Sequence, residues 1–254
     1  MPSEWAAPPE GLLLLPDHVH VWRVTSRQPD TVVAWLRSLL ASDEQQRADR
    51  FHFEKDRRQF IVARGVLRTL LAGYLNIEPG QIRFCYSRYG KPQLDGDDPN
   101  NLLRFNLSHS HGLALMAFAL NRELGIDVEW LRADLACDDI AKRFFSPAEQ
   151  AALRALPAAQ RLQGFFNCWT RKEAYIKAIG TGLSMPLDQF DVSLAPGEPA
   201  RLLAVRSQPS QMQRWSLEAL DLGPDFAAAV AVEGHGWQLR CWQWRPHCHW
   251  VQRG

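Results

Sequence analysis

The sequence lacks a surplus of either charge. Across 254 residues, 29 Lys and Arg stand against 28 Asp and Glu, so no global field gathers nucleic acid or an anionic membrane, and any anion site must be built locally. Long apolar runs are also missing. The leucines at 12–15 form a run of four with no basic residue ahead of it, too short for a signal peptide or a membrane span. Cysteine is scarce: Cys85, Cys137, Cys168, Cys241 and Cys248 are odd in number and scattered, which argues for reduced thiols in a cytoplasm over a disulfide framework. Cys241, His247, Cys248 and His249 lack the paired spacing of zinc ligands, so the tail reads as coil. No G-x-S-x-G elbow is present, and Ser108 and His109, adjacent on a strand, point to opposite faces, which excludes a Ser/His nucleophile pair.

What is present is a chain 46% hydrophobic, enough for one large core or two compact lobes. Residues 1–16, with Pro2, Pro8, Pro9 and Pro16, read as an extended, poorly packed lead-in. A half-buried strand is expected over 17–24, a helix from Asp30 to about Leu40, and a second opening at Ser42 with Asp43 and Glu44 in its first turn. The longest helix of the first half spans 57–75. A strand over 82–86 follows, then a tight turn at Tyr89-Gly90-Lys91-Pro92 with the lysine held outward, and a loop at 95–101. Residues 113–120 read as a buried strand and 124–130 as an alternating one.

The order of elements then repeats: a strand, a Ser-opened acidic helix start at Ser146, a long apolar helix at 165–180, and strands over 214–220 and 226–232. The repetition is one of pattern, consistent with either an internal duplication or coincidence. A duplication predicts two similar α+β lobes, 1–121 and 122–254, with a ligand cleft between them.

Three carboxylates stand out. On the 124–130 strand Asp127 and Glu129 share a face, which is either a solvated sheet face or a pair that needs a cation. On the 165–180 helix Glu173 and Lys177 are one turn apart, an arrangement that also describes an ordinary surface ion pair. Taken together, Asp127, Glu129 and Glu173 make the hard-oxygen shell that Mg²⁺ favours when phosphate completes it. Cations for such an anion are available at Arg47, Lys91, His109 and Lys177.

The motifs Tyr89-Gly90-Lys91-Pro92, Phe105-Asn106-Leu107-Ser108-His109-Ser110, Gly125-Ile126-Asp127-Val128-Glu129, Arg143-Phe144-Phe145-Ser146 and 169–177 (WTRKEAYIK), in this order over residues 42–195, resemble those of the Sfp-type 4′-phosphopantetheinyl transferases. The resemblance implies a monomeric α+β pseudo-dimer binding coenzyme A and Mg²⁺ between its lobes. It further implies transfer of the phosphopantetheine arm to a serine of an acyl or peptidyl carrier protein. By the same resemblance Asp127, Glu129 and Glu173 are metal ligands, with Glu173 and Lys177 catalytic. Arg47, Lys91, Pro92, Ser108, His109 and Lys177 correspond to coenzyme A contacts, Arg47 on one residue alone. An acidic carrier would dock on the basic segment 131–165, with Arg132, Lys142, Arg143, Arg154 and Arg161, beside the apolar pair Phe144 and Phe145. Two rivals remain: a Mg²⁺-dependent nuclease or phosphohydrolase, and a binding module without turnover.

Overall fold

The computed structural model describes residues 5–95, 102–180, 182 and 185–246; the sequence features at Pro2, 96–101, Thr181, Leu183, His247, Cys248 and His249 lie outside them. The first half runs β1 (His18–Thr25), α1 (Asp30–Ser38), α2 (Ser42–Asp49), α3 (Glu54–Leu75), β2 (Phe84–Tyr86), β3 (Pro92–Leu94), β4 (Leu103–Ser110) and β5 (Leu113–Leu120). The second runs β6 (Leu124–Trp130), α4 (Cys137–Phe144), α5 (Pro147–Ala155), α6 (Ala158–Ile179), β7 (Phe190–Val192), β8 (Leu202–Val205), α7 (Gln211–Arg214), β9 (Trp215–Ala219), β10 (Phe226–Glu233) and β11 (Gln238–Gln243).

The period-2 alternation of the strands dictates a layered core. Met116 and Phe118 of β5 face a cluster with α1 and α3, while Leu115, Ala117 and Ala119 face a second cluster shared with β6 and β10. On β10, Ala227, Ala229 and Ala231 face α6, and Ala228, Val230 and Val232 face the same shared cluster. Helices therefore cover the outer faces, and the two sheets pack against each other. Both faces of β5 and β10 are buried, which is why each is a nearly unbroken apolar run.

The halves match in detail. One sheet has the order β11-β1-β5-β4 and the other β6-β10-β9; apart from β11, each is an antiparallel set of three in equivalent order. Both α3 and α6 have 22 residues and end on a left-handed residue, Asn76 (φ 53°) and Gly180 (φ 70°). Each carries a buried cation 14 positions after its first residue, Arg68 or Lys172, bonded to a glutamate at the third position of the preceding helix, Glu44 or Glu149. Both glutamates also accept the backbone N–H of the residue before their helix, Ala41 or Ser146. Such agreement of buried, non-repetitive polar features is the mark of duplication.

Three expectations need correction. Residues 238–243 are not coil: β11 pairs in parallel with β1, and Cys241 is buried in the shared core. The lead-in is packed, with Leu12 and Leu14 against the first core and Trp5 against the shared one. Lys91 is turned inward. Its backbone closes a turn through Ser87 N–H to the Lys91 carbonyl (2.9 Å), and its Nζ reaches Glu123 Oε2 (3.4 Å) and the Leu124 carbonyl (3.2 Å). The carboxylate and the carbonyl replace part of the hydration the ammonium gives up on burial. Among the described residues, no helix is long and apolar enough to cross a membrane.

His20 on β1 is fully buried, with Nδ1 2.8 Å from the Tyr74 hydroxyl. Burial, then His18, then Arg240 push its pKa down to about 3. The folded state thus binds fewer protons than the unfolded chain below the ordinary value of about 6.5, so stability falls as pH drops from there toward 3. Between pH 7.5 and 5 this single group is expected to cost about 2 kcal/mol. Urea titrations of wild type and His20→Gln should show their stability difference shifting by that amount over this range; a pH-independent difference would exclude a buried neutral histidine.

Candidate active site at the junction of β4, β6 and α6

The site begins with a glycine. Gly125, Asp127 and Glu129 alternate on the face of β6 that meets α6. A Cβ on Gly125 would collide with the backbone of Ala174 and Ala178, so only glycine lets the helix lie this close to the strand. The close approach brings Lys177 Nζ to the Ile126 carbonyl (3.2 Å), Asp127 Oδ1 (2.6 Å) and Ser108 Oγ (3.1 Å). Lys177 thus pairs across elements with Asp127 rather than with Glu173, its neighbour one turn back.

The other wall comes from β4. Asn106, Ser108 and Ser110 alternate toward β6 and bridge two sheets that share no ladder there. Ile126 N–H donates to Asn106 Oδ1 (2.9 Å), Ser108 Oγ donates to Asp127 Oδ1 (2.8 Å), and Ser110 Oγ donates to Glu129 Oε2 (2.9 Å) while accepting from Trp130 N–H (3.1 Å). The turn that returns β4 into β5 needs His111 (φ 48°) and Gly112 (φ 80°) in the left-handed region, as a two-residue hairpin requires. His111 stacks on Trp130 at 3.9 Å, closing the strand end beside Glu129.

Electrostatically the three acids act on one another. The Glu173 carboxyl is pushed above the usual range first by burial and then by Asp127, with Glu129 adding and Lys177 opposing. Glu129 is raised by the same two leading causes. His109 is lowered by burial and then by Lys177, against the pull of Asp127, so its ring is neutral near pH 7. Burial likewise lowers Lys91, offset by Glu123.

Asp127, Glu129, Glu173, Lys177, Ser108 and His109 are therefore brought together. Lys91 joins at the start of β6, and Pro92 follows it as the first residue of β3. Arg47 lies apart on α2, its guanidinium over the Phe60 ring at 5.2 Å. The Phe144 and Phe145 pair divides: Phe145 is core, stacked on Phe165, while Phe144 is half-buried against Trp169. A cavity of about 630 Å³ lies past the C-terminal end of α6, bounded by Lys91, Glu123, Gly180, Arg214 and Trp215. None of the three carboxylates lines it, so the chemistry sits outside it, on the open β4–β6–α6 junction.

Among the described residues no three His, Cys, Asp or Glu groups converge tightly enough to hold an ion as they stand; the Lys177 ammonium occupies Asp127 Oδ1 instead. The donor set nevertheless fits a hard divalent cation. Asp127 is only 3% exposed, and its Oδ2 is buried with no hydrogen-bond partner, a costly state for a carboxylate oxygen unless a cation meets it. Two further carboxyls raised by burial and by repulsion from Asp127 gain from the same charge.

Sequence reasoning quoted Asn106 and Ser110 within a motif but gave them no role, and it missed Gln59, whose Nε2 lies 2.9 Å from His109 Nδ1. The N-x-S-x-S spacing of a period-2 strand was the available signal for the first two.

Comparison with known proteins gives the relatives of the chain. Residues 123–231 match the family model described as the 4′-phosphopantetheinyl transferase superfamily, and residues 21–120 match the one described as 4′-phosphopantetheinyl transferase, N-terminal. The chain is 46% identical over 242 residues to the 4′-phosphopantetheinyl transferase HetI of Nostoc sp., covering 94% of this chain and 98% of that protein. It is 32% identical to 4′-phosphopantetheinyl transferase Sfp of Bacillus subtilis, over 62% of this chain and 67% of that one. It is also 28% identical to the human L-aminoadipate-semialdehyde dehydrogenase-phosphopantetheinyl transferase, over 78% and 69% respectively.

Proposed function

The chain belongs to the 4′-phosphopantetheinyl transferases, and from that premise we propose that it moves the phosphopantetheine arm of coenzyme A onto a serine of an acyl or peptidyl carrier protein. The observation that carries the reading is the Lys177–Asp127–Ser108 junction. It joins the edge strands of both sheets to α6 at residues that stand in the family's motifs. The working division is an N-terminal lobe, 1–121, and a C-terminal lobe, 122–254, in a monomer acting in the cytoplasm.

In the reaction the carrier serine Oγ attacks the phosphorus that bears the pantetheine arm. The phosphorus–oxygen bond to the nucleotide breaks, and 3′,5′-ADP leaves with the bonding electrons. Asp127, Glu129 and Glu173 would hold Mg²⁺, which when bound supplies positive charge to the diphosphate oxygens. Lys177 Nζ and His109 donate to phosphoryl oxygens and stabilise the charge that builds there. Glu173 takes the serine proton, directly or through a water. Lys91, Pro92 and Ser108 orient coenzyme A, and Arg47 offers a further phosphate contact from α2. An acidic carrier would approach Lys142 and Arg143, exposed in the last turn of α4.

Incubation with coenzyme A, Mg²⁺ and apo carrier proteins should add phosphopantetheine to the carrier serine, read as intact mass. No gain on any of several acyl and peptidyl carriers would reject the reading. A phosphohydrolase would instead cleave coenzyme A without a carrier.

A further inference from the structure

Gln59 lies on α3, in a run of charged residues (Asp56, Arg57, Arg58) whose side chains serve elsewhere: Arg57 reaches the Phe51 carbonyl and Arg58 bonds Asp30 and the Gln28 carbonyl. Gln59 instead points across to β4, where its Nε2 meets His109 Nδ1 at 2.9 Å. A glutamine amide nitrogen has donors and no acceptor, so the ring nitrogen facing it must be the unprotonated one. Burial and then Lys177 of α6 disfavour the imidazolium, and they prevail over the hydrogen bond to the His109 backbone and the pull of Asp127 of β6. A neutral ring that accepts at Nδ1 carries its proton at Nε2, on the opposite side of a residue that is exposed.

We propose that Gln59 is a positioning residue that holds His109 as the neutral Nε2–H tautomer, so that this N–H donates to a phosphate oxygen of coenzyme A. The consequence is a donor whose direction and protonation do not change across the physiological range. An imidazolium would bind phosphate more strongly at acid pH and lose that charge near neutrality, and the Nδ1–H tautomer would present a lone pair to an anion. Orientation comes from α3 of one half while the neighbouring charges come from β6 and α6, so the histidine is set by elements from both halves of the chain. Gln59 touches no substrate in this account and acts only through the ring.

The proposal rests on the transferase reading only for what the Nε2–H meets; the tautomer itself is a property of the free protein. Long-range ¹H–¹⁵N correlation spectra of the wild-type chain are expected to show His109 protonated at Nε2 and bare at Nδ1. In Gln59→Glu the new carboxylate accepts from Nδ1–H, so the ring should move toward the Nδ1–H or doubly protonated form and titrate at higher pH. In Gln59→Leu the apparent KM for coenzyme A should rise about tenfold, the loss of one oriented hydrogen bond, with the change in KM rather than kcat, and Gln59→Glu should make that KM depend on pH where the wild type's does not. An Nδ1–H tautomer in the wild type, or a His109 spectrum unmoved by Gln59→Glu, overturns the proposal. A correct tautomer with coenzyme A affinity unchanged in both Gln59→Leu and His109→Ala would instead reject His109 as a cosubstrate contact, a failure of the site assignment that leaves the tautomer intact.

Discussion

Replacing Lys172 with methionine is expected to destabilise the fold by about 3–5 kcal/mol, although the side chain lies outside the candidate site. The ammonium is 0% exposed, bonds Glu149 Oε1 at 2.9 Å, and donates to the Leu187 and Phe190 carbonyls at 2.7 and 2.6 Å above the Phe190 ring. Glu149 in turn accepts from Ser146 N–H and Val192 N–H. Removing the cation therefore strands a buried carboxylate and two carbonyls together, the situation in which a buried pair is most sensitive. The double replacement Glu149→Gln with Lys172→Met leaves neither member of the pair charged and keeps an acceptor oxygen for one of the two N–H groups, which bond different oxygens of Glu149. It should be more stable than Lys172→Met alone by about 2 kcal/mol, a coupling typical of contacting residues. Urea titration of the three proteins decides it, and a Lys172→Met protein within about 1 kcal/mol of wild type would refute the assigned role.

Asp127→Asn should separate stability from activity. The substitution keeps the volume and the Ser108 bond but removes the charge that raises both Glu129 and Glu173. Relief of that repulsion offsets the lost ion pair with Lys177, so the melting temperature should stay near the wild-type value. Transfer to a carrier should fall at least about a hundredfold, since the charge that positions Lys177 and the partnerless buried Oδ2 are lost together. Thermal melts and single-turnover mass spectrometry measure the two effects separately. A variant that retains more than a tenth of the rate would place the reaction elsewhere.

The residues of the site were the most legible part of the sequence because regular spacing carries them. Asp127 and Glu129 stand two apart on a strand, Glu173 and Lys177 four apart on a helix, and both periods survive folding unchanged. Partners across elements were not legible. Lys177 looked like the mate of Glu173, yet the close contact of α6 over Gly125 gives it to Asp127, and no local pattern encodes how near a helix approaches a strand. Lys91 was expected outward because a turn favours exposed lysine; the Leu124 carbonyl that captures it is 33 residues away. Lys172 was hidden for the opposite reason, a charge inside an apolar helix whose acid lies on α5. β11 was missed because its parallel partner, β1, is more than two hundred residues distant, and parallel pairing leaves no turn signal between the strands. The duplication, open at the level of pattern, rests on the Arg68–Glu44 and Lys172–Glu149 pairs, whose equivalence no sequence pattern marks.

The account's central claim is that the carboxylates of β6 and α6 and the Lys177 ammonium form one site for a cation and a diphosphate. Calorimetric titration of coenzyme A with and without Mg²⁺ tests this most directly. The wild-type protein should gain about tenfold in affinity from the metal, or roughly 1.4 kcal/mol, and Asp127→Asn and Glu173→Gln should each abolish that gain while still binding coenzyme A. A Mg²⁺-dependent gain that persists undiminished in both variants would contradict the claim.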